Sequence, residues 1–249
     1  KSEGEERIGQ LAWFGGSALF FITLIFPLQF HREWITLGWA FEGTALIWLF
    51  RRVPHEGLRV TGIVLLATSF ARLALNMDVL AYHPRSGVPV FNWYLYTYGL
   101  VAASMFLGAR WLKEPHHRLG DINARATLWA FGGILLFLLL NIEIADYFTP
   151  ADARFTTFEF HGLDLARDMT YSIAWALFAL GSILLGFWSG ARGARYGGVG
   201  LLAVTLFKVF FHDLAALENI YRIAALIVVA LIALSASFVY QRFFDRTKE

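Results

Sequence analysis

The sequence predicts an all-α membrane protein with about eight transmembrane helices, arranged as two parallel-oriented four-helix repeats. Three observations carry this prediction. Of the 249 residues, 57% are hydrophobic and only 16% are charged, a composition outside the range of ordinary soluble domains. Several separate stretches approach the roughly 20 apolar residues that a helix needs to cross about 30 Å of hydrocarbon. Two segments 136 residues apart also resemble each other.

The hydrophobic stretches predict helices one to eight at about 9–29, 34–50, 58–77, 91–112, 125–146, 168–189, 196–213 and 218–241. The first stretch follows the charged start KSEGEER and lacks a small-residue cleavage site, which predicts a retained helix and not a signal peptide. The short connections 51–59 and 113–121 combine Pro, Gly and charge. The longer connections 77–90 and 147–168 fall on one side of the predicted bundle and have room for local structure.

Basic residues define the predicted orientation. Of 21 lysines and arginines, 14 lie on one side, three lie within helices or at their ends, and four lie on the other side, namely Arg32, Arg85, Arg154 and Arg167. Cytoplasmic loops carry the excess of Lys and Arg, so the crowded side and both termini are predicted to be cytoplasmic. The predicted location is the bacterial inner membrane. The basic pI near 8.9 then reflects topology and anionic lipid, because the sequence has no basic-aromatic nucleic-acid module.

An internal repeat is predicted from an alignment of helices two and three with helices six and seven. Without a gap, Trp39 aligns with Trp175, Arg59 with Arg195, Gly62 with Gly198, and Arg72 with Lys208. Shared membrane composition can produce a chance match, but these coincidences favour a true repeat. The predicted units are 1–112 and 125–249, joined by a cytoplasmic linker at 113–124. An even number of helices per unit gives both units the same orientation, with an axis along the membrane normal.

Several segments also carry a resemblance to a known family. They are WAFEGTALIWL, RLALN, FNWYLYTYG, LNIEIADYF, YSIAWALFALG and the long closing stretch that begins LFKVFFHD and ends FVYQR. The chain resembles the carboxy-terminal portion of a bacterial family of predicted multi-pass membrane proteins, domain of unknown function 2339. The resemblance implies a helical inner-membrane fold and supplies no activity and no catalytic residues. Family members are usually longer, so the resemblance, like the missing initiator Met, implies a fragment or a short relative.

The predicted site is a cluster of intramembrane polar side chains. A charge at the centre of a membrane helix costs about 2.5–3.5 kcal/mol even on the lenient scale, so each one needs a partner, water or a route to the interface. Most of the candidates fall in the outer third of their helices. The cluster comprises Glu42, Arg72, Asn76, Asn141, Glu143, Asp168, Lys208, His212, Asp213, Glu218 and Arg222. One interpretation is an outward-facing polar vestibule in which Arg72 and Lys208 face an anionic group.

The other interpretation of these cations is structural. They snorkel to the interface or form internal ion pairs that stabilise helix packing. Arg72 can reach toward Glu42, and Lys208 toward an acid from helix five, six or eight, with Glu143 as the first candidate. The spacing of Glu218 and Arg222 favours a pair at a helix end.

No cofactor and no metal site are predicted. The chain has no cysteine, which excludes disulfides, thiolate sites and cysteine nucleophiles. Its histidines lie in loops or at helix ends, and so lack the facing intramembrane pairs that hold a haem. The acidic residues from 146 to 168 favour a solvated loop over a divalent-cation site. Because no nucleophile and base can be recognised together, the sequence disfavours an enzyme.

The sequence therefore predicts a multi-pass module that binds or transports a small anionic or amphiphilic molecule through an outward-facing polar vestibule. The alternative is a non-catalytic scaffold or accessory subunit of a larger complex. Its partners would be the lipid bilayer and either another protein or the remainder of a longer chain; nucleic acid is not expected. A transferase or hydrolase that uses outer-loop acids ranks last.

Overall fold

The computed structural model describes residues 7, 9–11, 13–18, 20–21, 32–86, 88–150, 153–156, 165–213, 227–235 and 237–238. Over these residues the chain is helical, without a β-strand. The described helical residues between 7 and 21 are called α1, and those between 227 and 238 are called α8. Between them lie α2 (Arg32–Phe50), α3 (Glu56–Leu75), α4 (Trp93–Trp111), α5 (Ala124–Phe148), α6 (Leu165–Trp188) and α7 (Arg192–Lys208).

Helices two to seven of the prediction are confirmed, and four segments are long and apolar enough to cross a membrane. These segments are Glu56–Leu75, Ala124–Phe148, Ala166–Trp188 and Arg192–His212. Helix seven differs most from its prediction, because it begins earlier, at Arg192, and continues after Lys208 as a π-helical turn, Val209–Asp213. Most of predicted helix eight, and part of helix one, lie outside the described residues.

The chain forms two compact units, residues 1–157 and 158–249. In the first unit α5 packs against α4 and α3, so the unit continues well beyond the linker predicted at 113–124. The predicted unit boundaries were based on the internal repeat. Contacts within each unit do not test that repeat, so the boundaries stay a prediction.

Side-chain caps begin three helices of the first unit. The Nδ1 atom of His55 accepts a hydrogen bond from the backbone N–H of Gly57 at the start of α3. The side-chain oxygens of Asn92 and Asn123 accept from the N–H groups of Leu95 and Ala126 at the starts of α4 and α5. Such caps satisfy N–H groups that have no partner inside the helix.

Close contact between helices forms the core of the first unit. A Cβ atom on Gly62 of α3 would lie 2.8 Å from the Gly43 carbonyl oxygen of α2, so only glycine permits this approach. Ile47 and Leu66, which border this crossing, are completely buried, and so is Met105 on α4. On α3 and α5, the rings of Phe70 and Phe131 stack with centroids 3.8 Å apart.

The two short connections meet at one end of the first unit, which we call the Arg59 end (residues 51–55 and 112–123). The buried Arg59 guanidinium donates to the carbonyl oxygens of His116 at 2.7 Å and Arg118 at 2.8 Å, and it pairs with Glu56. These bonds attach the loop before α5 to the first turn of α3.

The two longer connections meet at the opposite end, the Arg85 end (described residues 76–86, 88–92, 149–150 and 153–156). The backbone N–H of Arg85 donates to the carbonyl oxygen of Arg154 at 3.0 Å. The prediction that these connections share a side is confirmed. The prediction that they have room for local structure is also confirmed, because Met77–Ala81 form a 3-10 helix.

The second unit is built on the pair of α6 and α7. A Cβ atom on Gly198 of α7 would lie 2.8 Å from the carbonyl oxygen of Ala179 on α6. Thr205 is completely buried, and Val209 in the π-helical turn packs with Val229 of α8. The helices of this unit therefore also approach through small residues.

Candidate functional site

Arg85 organises the Arg85 end of the first unit. Its Nε donates to Asp146 Oδ1 at 2.7 Å, its Nη1 to the Pro150 carbonyl at 2.6 Å, and its Nη2 to the Asp146 carbonyl at 2.6 Å. One guanidinium thus holds both the last turn of α5 and the residues that follow it. A planar guanidinium suits this role because its N–H groups point in fixed directions.

Asp146 is the buried anion of this site, with 3% of its surface exposed. The Thr156 hydroxyl lies 2.6 Å from Asp146 Oδ1 and 3.0 Å from the Tyr94 hydroxyl. Tyr94 itself donates to the carbonyl oxygen of Leu80 at 2.9 Å. Since the single Thr156 proton can serve one acceptor at a time, the shorter distance and the charge favour Asp146. Asp146 is therefore bound from both long connections.

A second acid lies one helical turn before Asp146. The Oε2 atom of Glu143 accepts a hydrogen bond from Asn92 Nδ2 at 2.9 Å, and Asn92 also caps α4. The link joins the beginning of α4 to the end of α5. One residue of the predicted cluster, Glu143, thus lies beside the observed site.

A cavity of about 320 Å³ opens beside Arg85 and Asp146. Its lining consists of Pro84, Arg85, Ser86, Pro89, Asp146, Tyr147, Ala153 and Arg154. Among the described residues, the charged lining groups are two arginines and one carboxylate, and the carboxylate already bonds to Arg85. The described part of the cavity wall therefore carries a net positive charge.

Arg154 is the exposed cation of this cavity. Its guanidinium carbon lies 5.4 Å from the centre of the Phe155 ring. In the part of the chain that the structure describes, no carboxylate lies within 4.0 Å of the Arg154 guanidinium. Its N–H groups are therefore available to an anion, unlike those of Arg85.

Arg72 and Glu42 lie in the first unit, on α3 and α2. The Arg72 guanidinium lies over the Trp39 ring of α2, 5.8 Å from its centre, a cation–π contact. Glu42 is buried, with 7% of its surface exposed. The predicted Arg72–Glu42 pair stays a prediction.

Two predicted polar residues make local contacts. Asn76 caps the 3-10 helix through a bond from the Asp78 N–H at 3.0 Å, and its Nδ2 lies 3.4 Å from the Tyr82 hydroxyl. On α5, Asn141 Nδ2 donates to the carbonyl oxygen of Phe137 at 2.7 Å. Such contacts within an element are common for Asn.

Lys208 contacts helix six. Its Nζ donates to the carbonyl oxygen of Asp168 at 3.1 Å and to Ser172 Oγ at 2.8 Å. Asp168 is thus near Lys208 through its backbone, while its carboxylate lies 4.0 Å from Arg167. The predicted pairing of Lys208 with Glu143 joins the two units and stays a prediction.

The remaining members of the predicted cluster lie at or beyond the end of α7. His212 is exposed in the π-helical turn. The side chain of Asp213 and the residues Glu218 and Arg222 lie outside the described residues. The predicted vestibule between Arg72 and Lys208 also involves both units and stays a prediction.

The basic residues on the sparsely basic side were a signal for the observed site, but the sequence analysis used them only to assign orientation. Arg85 and Arg154 are two of the four basic residues on the sparsely basic side. Because non-cytoplasmic loops carry few Lys and Arg, such a cation is a candidate for a local partner or ligand. Asp146 was predicted to lie in the outer third of its helix with Glu143, but it was also interpreted as part of a solvated acidic segment, and Thr156 carried no signal of its own. No group of three or more His, Asp or Glu side chains arranged to hold a metal occurs among the described residues.

Comparison with known proteins identifies a family. The family described as Predicted membrane protein (DUF2339) matches residues 57–243, which confirms the resemblance drawn from the sequence. No curated protein matches the chain, and no solved structure does.

Proposed function

The chain belongs to the predicted membrane protein family DUF2339, and from this premise we propose that it is a multi-pass module of the bacterial inner membrane that binds or transports a small anion. The binding site is the cavity at the Arg85 end of the first unit. By the distribution of basic residues, this end faces outward.

One observation carries the proposal: among the described residues, the cavity wall has two arginines and one carboxylate, and that carboxylate is already paired. The charge left for a ligand is that of Arg154. Arg85 contributes by holding the backbone of Pro150 and of Arg154 through hydrogen bonds from its guanidinium and its own N–H. Because the Arg154 backbone is held beside a preformed cavity, less of the loop has to be ordered when an anion binds.

Removal of the Arg154 charge is expected to weaken anion binding about 10- to 100-fold, the value of one charge-assisted hydrogen-bonding group. Arg154→Gln and the parent protein are to be titrated with inorganic phosphate by calorimetry in nanodiscs of zwitterionic lipid. Arg125→Gln, an exposed arginine at the start of α5, is the matched control and should bind like the parent. Equal binding by Arg154→Gln and the parent would refute the site.

The second candidate function is that of a scaffold or accessory subunit. The surroundings of the two intramembrane cations, Arg72 and Lys208, favour this alternative. Lys208 donates to two oxygens of α6, and Arg72 lies over an aromatic ring of α2. Cations held in this way stabilise the pairing of helices and need no ligand. In this alternative the Arg85 end contacts another protein.

We further propose that the chain crosses the membrane eight times as two repeated units. The surroundings of Gly62 and Gly198 support the repeat. A Cβ on Gly62 would lie 2.8 Å from Gly43 O and 2.8 Å from Ile47 Cγ1; one on Gly198 would lie 2.8 Å from Ala179 O and 2.7 Å from Ile183 Cγ1. All three pairs of positions differ by the 136 residues of the alignment.

The orientation predicts a labelling pattern. A cysteine at Ser86 should react with an impermeant thiol reagent added to intact cells, whereas one at Ser189 should react only after the membrane is opened. Both positions are exposed, and the parent protein has no cysteine. Thr156 is unsuitable because it is buried, with 7% of its surface exposed. The reverse pattern would place the cavity in the cytoplasm.

A further inference from the structure

We infer that the cavity at the Arg85 end recognises an oxyanion that carries an apolar group, with the oxyanion at Arg154 and the apolar group against Tyr147. This inference rests on the proposed function and specifies its ligand class. It follows from the presence of both charged and apolar residues in the cavity wall.

The charged part has room for one oxyanion. Arg85 uses its Nε, Nη1 and Nη2 atoms on acceptors of the protein itself. Arg154 presents the remaining guanidinium, and two parallel N–H groups of an arginine match two oxygens of a carboxylate or phosphate. Arg154 is therefore the binding residue, whereas Arg85 is a positioning residue that acts through the loop backbone.

The apolar part consists of Pro84, Pro89, Ala153 and the ring of Tyr147. Proline has no backbone N–H, so these residues offer few donors to a second charged group. The Tyr147 side chain is 69% exposed and contacts Phe148 edge to face at 5.2 Å. An inorganic anion would leave this surface in water, while an attached alkyl or aryl group would cover it.

The size of the cavity agrees with such a ligand. The cavity of about 320 Å³ is larger than a single oxyanion requires, which leaves room for a small alkyl or aryl substituent. The same chemistry occurs in a small organic phosphate and in the outer end of an anionic lipid.

The test compares two probes on the whole chain in zwitterionic nanodiscs. Butyl phosphate is expected to bind about tenfold more tightly than inorganic phosphate, because part of its chain leaves water. Tyr147→Ser should reduce butyl phosphate binding about fivefold and leave phosphate binding unchanged. Tyr96→Ser, which removes another exposed tyrosine ring, should change neither.

The outcomes separate this inference from the proposed function. Equal affinity for the two probes, or an equal effect of Tyr147→Ser on both, overturns the apolar subsite while anion binding stands. If neither probe binds, or if Arg154→Gln alters neither, the anion site fails as well. If anionic phosphatidylglycerol in the nanodisc displaces butyl phosphate, the inference is supported and the ligand is a lipid. If butyl phosphate binds tightly and phosphatidylglycerol does not displace it, the inference is supported and the ligand is soluble.

Discussion

Replacement of Asp146 by Ala is expected to destabilise the protein by about 3 kcal/mol, because it leaves the Arg85 guanidinium without its carboxylate in a largely buried place. The side chains of Arg85 and Asp146 are 15% and 5% exposed. The Thr156 hydroxyl loses its charged acceptor in the same variant. Chemical unfolding of the purified protein in detergent micelles measures the change.

Two further variants give this prediction its controls. Asp121→Ala removes an exposed carboxylate at the Arg59 end and should change stability by less than about 0.5 kcal/mol. The double variant Asp146→Ala with Arg85→Met should recover part of the loss, since it strands no charge. The recovery is partial because Arg85 also holds two carbonyl oxygens. Additive losses would contradict a paired interaction.

Alanine at Gly62 or at Gly198 is expected to cost about 1–3 kcal/mol in each case, because the new methyl group would push apart two helices in contact. At both positions a backbone carbonyl oxygen lies 2.8 Å from the ideal Cβ, and a backbone cannot turn aside as a side chain can. Unfolding in micelles measures both variants.

The controls come from the same or a neighbouring helix. Within the described residues, and apart from chain neighbours and the backbone of the same helix, no atom lies within 4 Å of an ideal Cβ on Gly200 of α7 or Gly99 of α4. Alanine at these positions should stabilise the protein by up to about 1 kcal/mol through its higher helix propensity. The proposed repeat requires that alanine lower the stability at both Gly62 and Gly198. A loss of stability at one position alone would show that the two helix crossings are not equivalent and would contradict the repeat.

Helix positions were predictable because they depend on short stretches of sequence. Apolar runs of membrane-spanning length marked the bodies of α3, α5, α6 and α7. The ends were harder to predict, because they are decided by single side chains. Asn76 and Asn92 shorten the predicted third and fourth helices by capping the elements that follow.

The polar contacts were predicted less well than the helices. The sequence identified Arg72 and Lys208 as costly cations, but it did not predict the contacts that the structure describes for them. Lys208 donates to a carbonyl and a hydroxyl of α6, and Arg72 lies over an aromatic face of α2. Carbonyl oxygens occur at every residue, and so leave no mark in a sequence that would distinguish one from another.

By itself the sequence determined the all-helical class, the family and the positions of helices two to seven, because hydrophobic runs and their boundaries are local properties of the chain. Only the tertiary structure decided that Arg85 meets Asp146, 61 positions away, and that Arg154 lines a cavity beside them. The reason is physical. A charged side chain in a loop has many acceptors within reach, and the folding of two connections against each other selects among them.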